Sequence, residues 1–122
     1  MSNRYYKYAA IYSALKTYVS MNELASAICL AADDNYKALT IQSTKSNKMK
    51  FRISRDIQVD VKKAIRKALK NIIESSAGAS IATYIEDKYE FKLTDDLIDS
   101  DFVDQIFEIE MNNKSVEVKI NE

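Results

Sequence analysis

The sequence predicts a single α+β domain over residues 1–122, with an N-terminal helical hairpin, a central basic helix and an antiparallel or mixed sheet built from two hairpins plus one further strand. Three observations support this fold class. Apolar residues recur at helical spacing over 3–33 and 57–75. They alternate with polar residues over 39–53 and 107–120, as in half-buried strands. Helices and strands do not alternate regularly along the chain, so we expect an antiparallel or mixed sheet rather than a parallel one.

The first two helices are predicted to pack as an antiparallel hairpin. Residues 3–19 carry one broad aromatic and aliphatic stripe, formed by Tyr5, Tyr8, Ile11, Tyr12, Leu15, Tyr18 and Val19. Ser20 and Glu23 have the spacing of a capping box, in which each side chain accepts a hydrogen bond from the other residue's backbone amide. A second helix is therefore expected over 21–33. Its stretch 24–32 has no charge, and a helix that is apolar on every side is expected to be buried.

Two hairpins and one further strand are predicted from period-two alternation. Residues 39–42 and 48–53 form the first hairpin, with a turn near 45–47 and a basic outer face. The segments FEIEM and SVEVKI form the second hairpin, because the Asn112-Asn113 pair between them tolerates the positive φ of a tight turn. The segment KYEFKL, with aromatic and aliphatic residues at every second position, predicts the further strand.

The central helix, predicted over 57–75, is basic on the side opposite its apolar stripe. Asp56 is expected to cap its N-terminus and Gly78 to end it. Five of its cations fall close together, and the first hairpin adds three more. We define the basic face by these cations: Lys48, Lys50, Arg52, Lys62, Lys63, Arg66, Lys67 and Lys70. A short helix over 81–87 and a short acidic helix from Thr94 are expected to follow.

Positive and negative charges are concentrated in opposite halves of the chain. Residues 1–70 contain 14 Lys and Arg against 5 Asp and Glu, whereas residues 71–122 contain 4 against 13. We define the acidic face by five aspartates: Asp95, Asp96, Asp99, Asp101 and Asp104. This distribution has three interpretations. The halves neutralise each other within the fold, the basic face binds an anionic partner, or the two faces drive self-association.

Most familiar catalytic sites are excluded by composition. The chain has no histidine, which removes the commonest general base and the commonest transition-metal ligand. A single glycine rules out both the glycine-rich phosphate-binding loop and the dinucleotide-binding fingerprint. Cys29 is the only cysteine, so an intrachain disulfide is impossible and a zinc site is not expected. We therefore predict no cofactor, no metal and no catalytic residues.

Carboxylate chemistry is the catalytic option that remains. A calcium loop starting at Asp99 fails, because Val103 occupies its fifth position and Asp104 the place of the turn glycine. A magnesium-dependent nuclease would place a Glu-x-Lys motif on a strand, and the segments EFK (90–92) and EVK (117–119) both fit this pattern. Asp104 is the candidate partner of the second motif. Alternating charges on a solvent-facing strand explain both motifs more simply.

The leading hypothesis is a non-enzymatic binding protein that occludes a macromolecular partner, which we expect to be a protein. A homo-oligomer is expected, because three tyrosines of the first helix form a stripe suited to an interface: Tyr5, Tyr8 and Tyr12. The alternative is a nucleic-acid-binding protein that uses the basic face, and a small magnesium-dependent nuclease is a third option. Richness in Lys, Asn, Ile and Tyr is typical of AT-rich genomes, so the expected setting is a phage or mobile-element inhibitor or regulator.

We expect a cytoplasmic protein, in the host cytoplasm if it is viral, with no membrane partner. The longest apolar run, 24–32, is interrupted by Ser26 and is far shorter than the ~20 residues that span a bilayer. The N-terminal residues MSNRYYKY lack the apolar segment of a signal peptide.

Overall fold

A computed structural model describes residues 3–33, 36–41, 48–53, 61–112 and 114–120. Within these ranges the α+β class is confirmed, since helices cover one face of a four-stranded antiparallel sheet. The helices are α1 (Asn3–Tyr18), α2 (Met21–Ala31), α3 (Val61–Glu74), α4 (Ser76–Tyr89) and α5 (Ser100–Ile106), with a short 3-10 helix over Asp95–Leu97. The strands are β1 (Tyr36–Ile41), β2 (Lys48–Ile53), β3 (Phe107–Met111) and β4 (Ser115–Ile120). None of the described helices is long and apolar enough to cross a bilayer.

The sheet has the strand order β1-β2-β4-β3, and all neighbouring strands are antiparallel. Met49 of β2 lies opposite Val118 of β4, and Phe51 lies opposite Val116. These four side chains are fully buried under the helices, while the residues between them face the outside of the sheet. Both predicted hairpins are confirmed by this pairing, and the predicted turn at 45–47 lies outside the described residues.

The two N-terminal helices are confirmed, but each takes its main packing partner from later in the chain. α1 packs mainly against α4, whereas α2 packs mainly against α3 and β1, so α1 and α2 make few contacts with each other. The capping box forms as predicted. The Ser20 Oγ accepts from the Glu23 amide at 3.1 Å, and the Glu23 carboxylate accepts from the Ser20 amide at 3.3 Å. This cap determines where α2 begins, while tertiary packing determines its direction.

α2 is amphipathic, so the prediction of a helix buried on every side is wrong. Leu24, Ala25 and Ile28 are buried, but Leu30 on the other side is 71% exposed. Cys29 is half-buried. Residues 24–32 carry no charge, but this does not mean that the helix is buried on every side. α3 and β1 pack on one side of α2 and leave Leu30 exposed.

The predicted strand KYEFKL is wrong. α4 continues through Lys88 to Tyr89, and Glu90 then ends the helix in the left-handed conformation, with a φ of 61°. The following residues, 91–94, form no regular secondary structure. The alternation of rings at Tyr89 and Phe91 instead reflects their packing against α1.

The prediction that Gly78 ends the central helix is wrong. α3 already ends at Glu74 and α4 begins at Ser76, so Gly78 lies in the first turn of α4, and the helix predicted over 81–87 is part of α4. Gly78 is buried, and a Cβ there would overlap the backbone carbonyl of Ile73. The glycine is required because α4 approaches the end of α3 this closely. The predicted cap at Asp56 lies outside the described part of the chain.

The acidic helix predicted from Thr94 is divided into the 3-10 helix and α5. Asp99 lies between them and caps α5, because its Oδ1 accepts a hydrogen bond from the Phe102 amide at 2.8 Å. The ring of Phe102 is fully buried and lies edge-on to Tyr8 of α1, with ring centroids 5.4 Å apart. This contact fixes the start of α1 against α5.

Candidate binding surface between the first and fourth helices

A continuous chain of five aromatic rings follows the contact between α1 and α4. We call this surface the aromatic seam, and its rings, in spatial order, are Tyr18, Tyr84, Tyr89, Tyr6 and Phe91. Successive ring centroids lie 5.7, 6.0, 5.9 and 6.5 Å apart. The rings are tilted or edge-to-face rather than stacked, which is the arrangement that aromatic quadrupoles favour.

The seam depends on how α4 ends. α1 supplies Tyr6 and Tyr18, and α4 supplies Tyr84 and Tyr89. The left-handed Glu90 then changes the chain direction, so that Phe91 lies beside Tyr6. The Tyr6 hydroxyl donates a hydrogen bond to the Tyr89 carbonyl at 3.4 Å, which ties α1 to the end of α4.

Lysines of the same two elements lie over the rings. The Lys88 Nζ is 5.3 Å from the centroid of Tyr84 and 5.7 Å from that of Tyr89. The Lys7 Nζ is 5.5 Å from the centroid of Phe91. These are cation–π distances, so three of the five rings already have a cationic neighbour within the chain.

Hydrogen bonds hold Tyr84, the second ring of the seam, in place. The Tyr84 hydroxyl lies 3.2 Å from the Ser13 Oγ of α1, and the Lys88 ammonium donates to it at 3.3 Å. The hydrogen bond with Ser13, and then that with Lys88, lowers the pKa of Tyr84, and the same contact with Tyr84 raises the pKa of Lys88. The ring is therefore oriented at its hydroxyl end by both helices.

Tyr6 and Tyr18 are the exposed members of the seam, at 54% and 41%, and the other three rings are half-buried. Shallow depressions border both ends. The one beside Tyr18 is lined by small residues of α4, among them Ala79 and Ser80. The one beyond Phe91 is lined by Arg4, Lys7, Lys92, Thr94, Asp96 and Leu97. The seam is thus a ridge of rings between two hollows.

Next to the seam, Tyr8, Arg4 and Asp99 anchor α1 to α5. The Tyr8 hydroxyl donates to Asp99 Oδ1 at 2.7 Å, and Arg4 forms an ion pair with Oδ2 and a hydrogen bond to the Tyr8 hydroxyl. Burial, and then the neighbouring carboxylate, raises the pKa of Tyr8. Burial alone would raise the pKa of Asp99, but hydrogen bonds from Tyr8 and the Phe102 amide, with Arg4 nearby, lower it. Asp99 is therefore ionised and structural.

The three tyrosines expected to form an oligomer stripe have different surroundings. Tyr8 is only 2% exposed inside the chain, so it has no ring surface to offer a second copy. Tyr12 is half-buried, and the Lys16 Nζ lies 5.2 Å from its ring centroid. Tyr5 is 59% exposed, with its ring edge-on to Tyr8.

The basic face is divided between two surfaces. Lys48, Lys50 and Arg52 lie on the outer face of the sheet, where Lys48 is 4.0 Å from Glu117 of β4. The other five cations lie on α3 in the helical layer, which packs against α2, α4 and α5. Lys63 and Lys67 are exposed and Lys70 is half-buried. The cations of β2 and of α3 thus have different neighbours and do not form one patch.

Part of the basic face contacts the acidic half. Lys62 lies 2.6 Å from Asp104 of α5, and the Arg66 Nε donates to the Ile98 carbonyl at 3.3 Å. Like Arg4–Asp99 and Lys48–Glu117, the pair Lys62–Asp104 joins a cation from residues 1–70 to an acid from residues 71–122. This arrangement supports the interpretation that the two halves neutralise each other within the fold.

The acidic face is likewise dispersed. Asp95 and Asp96 belong to the 3-10 helix, and the Thr94 hydroxyl donates to Asp96, which lowers the pKa of that carboxyl. Asp101 and Asp104 are exposed on α5. Among the residues that the structure describes, no group of three metal-ligating side chains lies close enough to hold an ion.

The geometry gives no support to the nuclease motifs. Glu90 is the left-handed end of α4, so the segment 90–92 is not a strand. Glu117 and Lys119 do lie on β4, where Glu117 is opposite Glu110 and Lys50 on the outer face of the sheet. Asp104, its candidate partner, pairs with Lys62 on the helical side instead.

The first helix predicted over 3–19 includes Tyr6 and Tyr18, but the prediction missed the three rings that complete the seam. Tyr84 was attributed to a short helix, and Tyr89 and Phe91 to a strand. Residues five apart in a helix lie about 140° apart around its axis, so the sequence carries no signal that the rings of Tyr84 and Tyr89 belong to one surface. The position of Phe91 depends on the backbone of Glu90, for which the sequence carries no signal, because this residue is not a glycine or an asparagine.

No protein-family model matches this chain, and comparisons with curated proteins and with solved structures gave no significant match.

Proposed function

We propose that this protein is a non-enzymatic binding protein that occludes a protein partner through the aromatic seam. The observation that carries the proposal is a ridge of five contiguous rings, of which Tyr6 and Tyr18 are exposed. Tyrosine is enriched where proteins bind each other, because its ring buries a large area with few rotatable bonds while its hydroxyl keeps a hydrogen bond.

A protein partner fits this surface better than a single-stranded nucleic acid. Stacked bases need open ring faces, and Lys88 and Lys7 already lie over three of the five rings. Acidic side chains also adjoin the seam, since Glu86, Asp87 and Glu90 are exposed next to Lys88. With lysines over the rings as well, the charges around the seam are of both signs, which suits a protein surface of mixed charge better than a uniformly anionic strand.

The setting and the oligomeric state belong to the same proposal. A phage or mobile-element inhibitor or regulator acting in the cytoplasm agrees with the Lys-, Asn-, Ile- and Tyr-rich composition. Self-association is proposed through α2, where the apolar side chain of Leu30 is 71% exposed and lies outside the seam. Size-exclusion chromatography with light scattering tests self-association, and a monomer at high micromolar concentration would rule it out.

The test of partner binding compares three forms of the full chain as bait in a lysate of the suspected host. The double variant Tyr6→Ala, Tyr18→Ala removes the exposed rings of the seam. Tyr5→Ala is the matched control, because Tyr5 is as exposed as Tyr6 on the same helix but lies outside the seam. We expect a partner that is retained by the wild type and by Tyr5→Ala and lost by the double variant.

Circular dichroism and the unfolding midpoint must first show that all three forms are folded. The captured protein is then purified and its affinity measured directly. Losing two interface tyrosines is expected to weaken binding at least about 100-fold. Retention of the purified partner by the double variant with unchanged affinity would rule out the seam as the binding surface.

A further inference from the structure

A second concave site lies on a different flank of α1, away from the aromatic seam. It is a cavity of about 120 Å³ between the end of α1, the start of α2, and α3, α5, β3 and β4. Aliphatic and aromatic side chains form its walls: Leu15, Leu24, Leu69, Ile106, Phe107 and Ile120. All six are buried and belong to the core, so the cavity opens from the protein surface directly into apolar packing.

The mouth of the cavity has one available cation. The Lys16 side chain is exposed, and its Nζ lies 5.2 Å from the ring centroid of Tyr12, which also lines the mouth. Within the described part of the chain, no carboxylate lies within 4.0 Å of this ammonium. The other polar residue of the lining, Ser20, is already committed to the capping box with Glu23. An apolar cavity with a cationic rim is therefore what the chain presents.

We propose that this cavity binds a small apolar carboxylic acid, with its hydrocarbon part among the six wall side chains and its carboxylate against Lys16. The size selects a single ring or a short branched chain, since an apolar cavity of about 150 Å³ in another protein holds benzene. The charge selects an anion, because the ammonium provides a charge-assisted hydrogen bond at the rim and the walls provide none. A dication or a polar sugar would leave its polar groups unpaired in the cavity.

The experiment is a titration of the full-length, ¹⁵N-labelled protein with sodium benzoate, followed by amide chemical shifts. Benzyl alcohol serves as the uncharged probe of similar shape. We expect benzoate to shift the amides of the cavity walls in a saturable manner. It should bind about tenfold more tightly than benzyl alcohol, because a hydrogen bond to a charged group contributes roughly that factor.

Two variants separate the roles of charge and cavity. Lys16→Gln should weaken benzoate binding about tenfold and change benzyl alcohol binding less than about twofold. Val19→Phe places a larger ring at the half-buried rim and should abolish binding of both probes. Lys16 is exposed, so its variant keeps the fold and keeps the test decisive even if Val19→Phe unfolds the chain.

Three results would overturn the proposal. They are the absence of saturable shifts at the wall residues up to the solubility limit of benzoate, equal affinities for the two probes, and unchanged benzoate affinity in Lys16→Gln. The cavity does not share a side chain with the seam. A negative result for carboxylic acid binding would therefore leave the proposed protein binding through the seam unaffected.

Discussion

The charged surface around α3 and the aromatic seam between α1 and α4 differ in what their side chains contact. Lys62 and Arg66 of α3 reach acceptors in the C-terminal half of the chain. The seam rings contact one another and their own lysines, and Tyr6 and Tyr18 remain largely exposed. The opposed charges of the sequence therefore help hold its two halves together, and we propose that the rings bind the partner.

The largest expected effect is at Gly78, where the helix that carries the charges meets the helix that carries the rings. Gly78→Ala should lower the free energy of unfolding by about 3 kcal/mol or more, because the new Cβ overlaps the Ile73 carbonyl and a backbone must move. Chemical denaturation measures this loss. Partner binding should weaken as well, since α4 carries Tyr84 and Tyr89.

A neighbouring position provides the control for Gly78. Ala79 is exposed in the same turn of α4, so Ala79→Gly should cost only about 1 kcal/mol, the ordinary difference in helix propensity. Propensity alone would make Gly78→Ala stabilising by a similar amount. A more stable Gly78→Ala variant would therefore contradict the close approach of α3 and α4.

An intermediate effect is expected for Asp99→Asn, which weakens the contact of α1 with α5. Asp99 accepts hydrogen bonds from Tyr8 and the Phe102 amide and pairs with Arg4. With its side chain 28% exposed, the loss of unfolding free energy at neutral pH should be about 1–2 kcal/mol. Asp101→Asn, at an exposed position of α5, is the control and should change stability little.

The pH dependence of that difference gives a sharper prediction. The pKa of Asp99 is lower in the folded protein than its ordinary value of 3.8, so the unfolded chain binds the proton more readily. The contribution of Asp99 is complete above pH 3.8 and is lost as the pH falls through the folded value. The gap between wild type and Asp99→Asn should narrow in acid, and a gap that widens there would contradict an ionised Asp99.

The smallest effect is expected for the pair Lys62–Asp104 on the charged surface. Both side chains are nearly half exposed, so a double-mutant cycle with Lys62→Gln and Asp104→Asn should give a coupling below about 1 kcal/mol. Added salt should reduce this coupling further. A coupling of several kcal/mol, or one that salt does not change, would contradict a solvent-exposed Lys62–Asp104 pair.

Local sequence signals predicted the elements whose formation depends on near neighbours. The Ser20–Glu23 capping box, the alternation in β2 and β4 and the amphipathic pattern of α3 all concern residues close in sequence. The wrong predictions concern positions where contacts between residues far apart in the sequence determine the local structure. Gly78 is required by the approach of α3 rather than by a helix end.

The candidate site was harder to predict than the fold, for the same physical reason. The distribution of charge can be read directly from the sequence, so the predicted binding residues were the cations of β2 and α3 and the aspartates of 95–104. The seam requires Glu90 to adopt a positive φ, which brings Phe91 to Tyr6, more than eighty residues away in the chain. Periodicity cannot predict this contact, because it describes one element at a time.

The salt dependence of partner affinity tests the central claim most directly. The partner that the wild-type chain retains is purified, and its dissociation constant is measured between about 50 and 500 mM salt. Binding through the aromatic seam predicts a change below about threefold, since few exposed charges are paired across such an interface. A fall in partner affinity of about 100-fold or more across this salt range would contradict the account. If the double variant Lys67→Gln, Lys70→Gln no longer showed that salt dependence, binding would be assigned to the cations of α3.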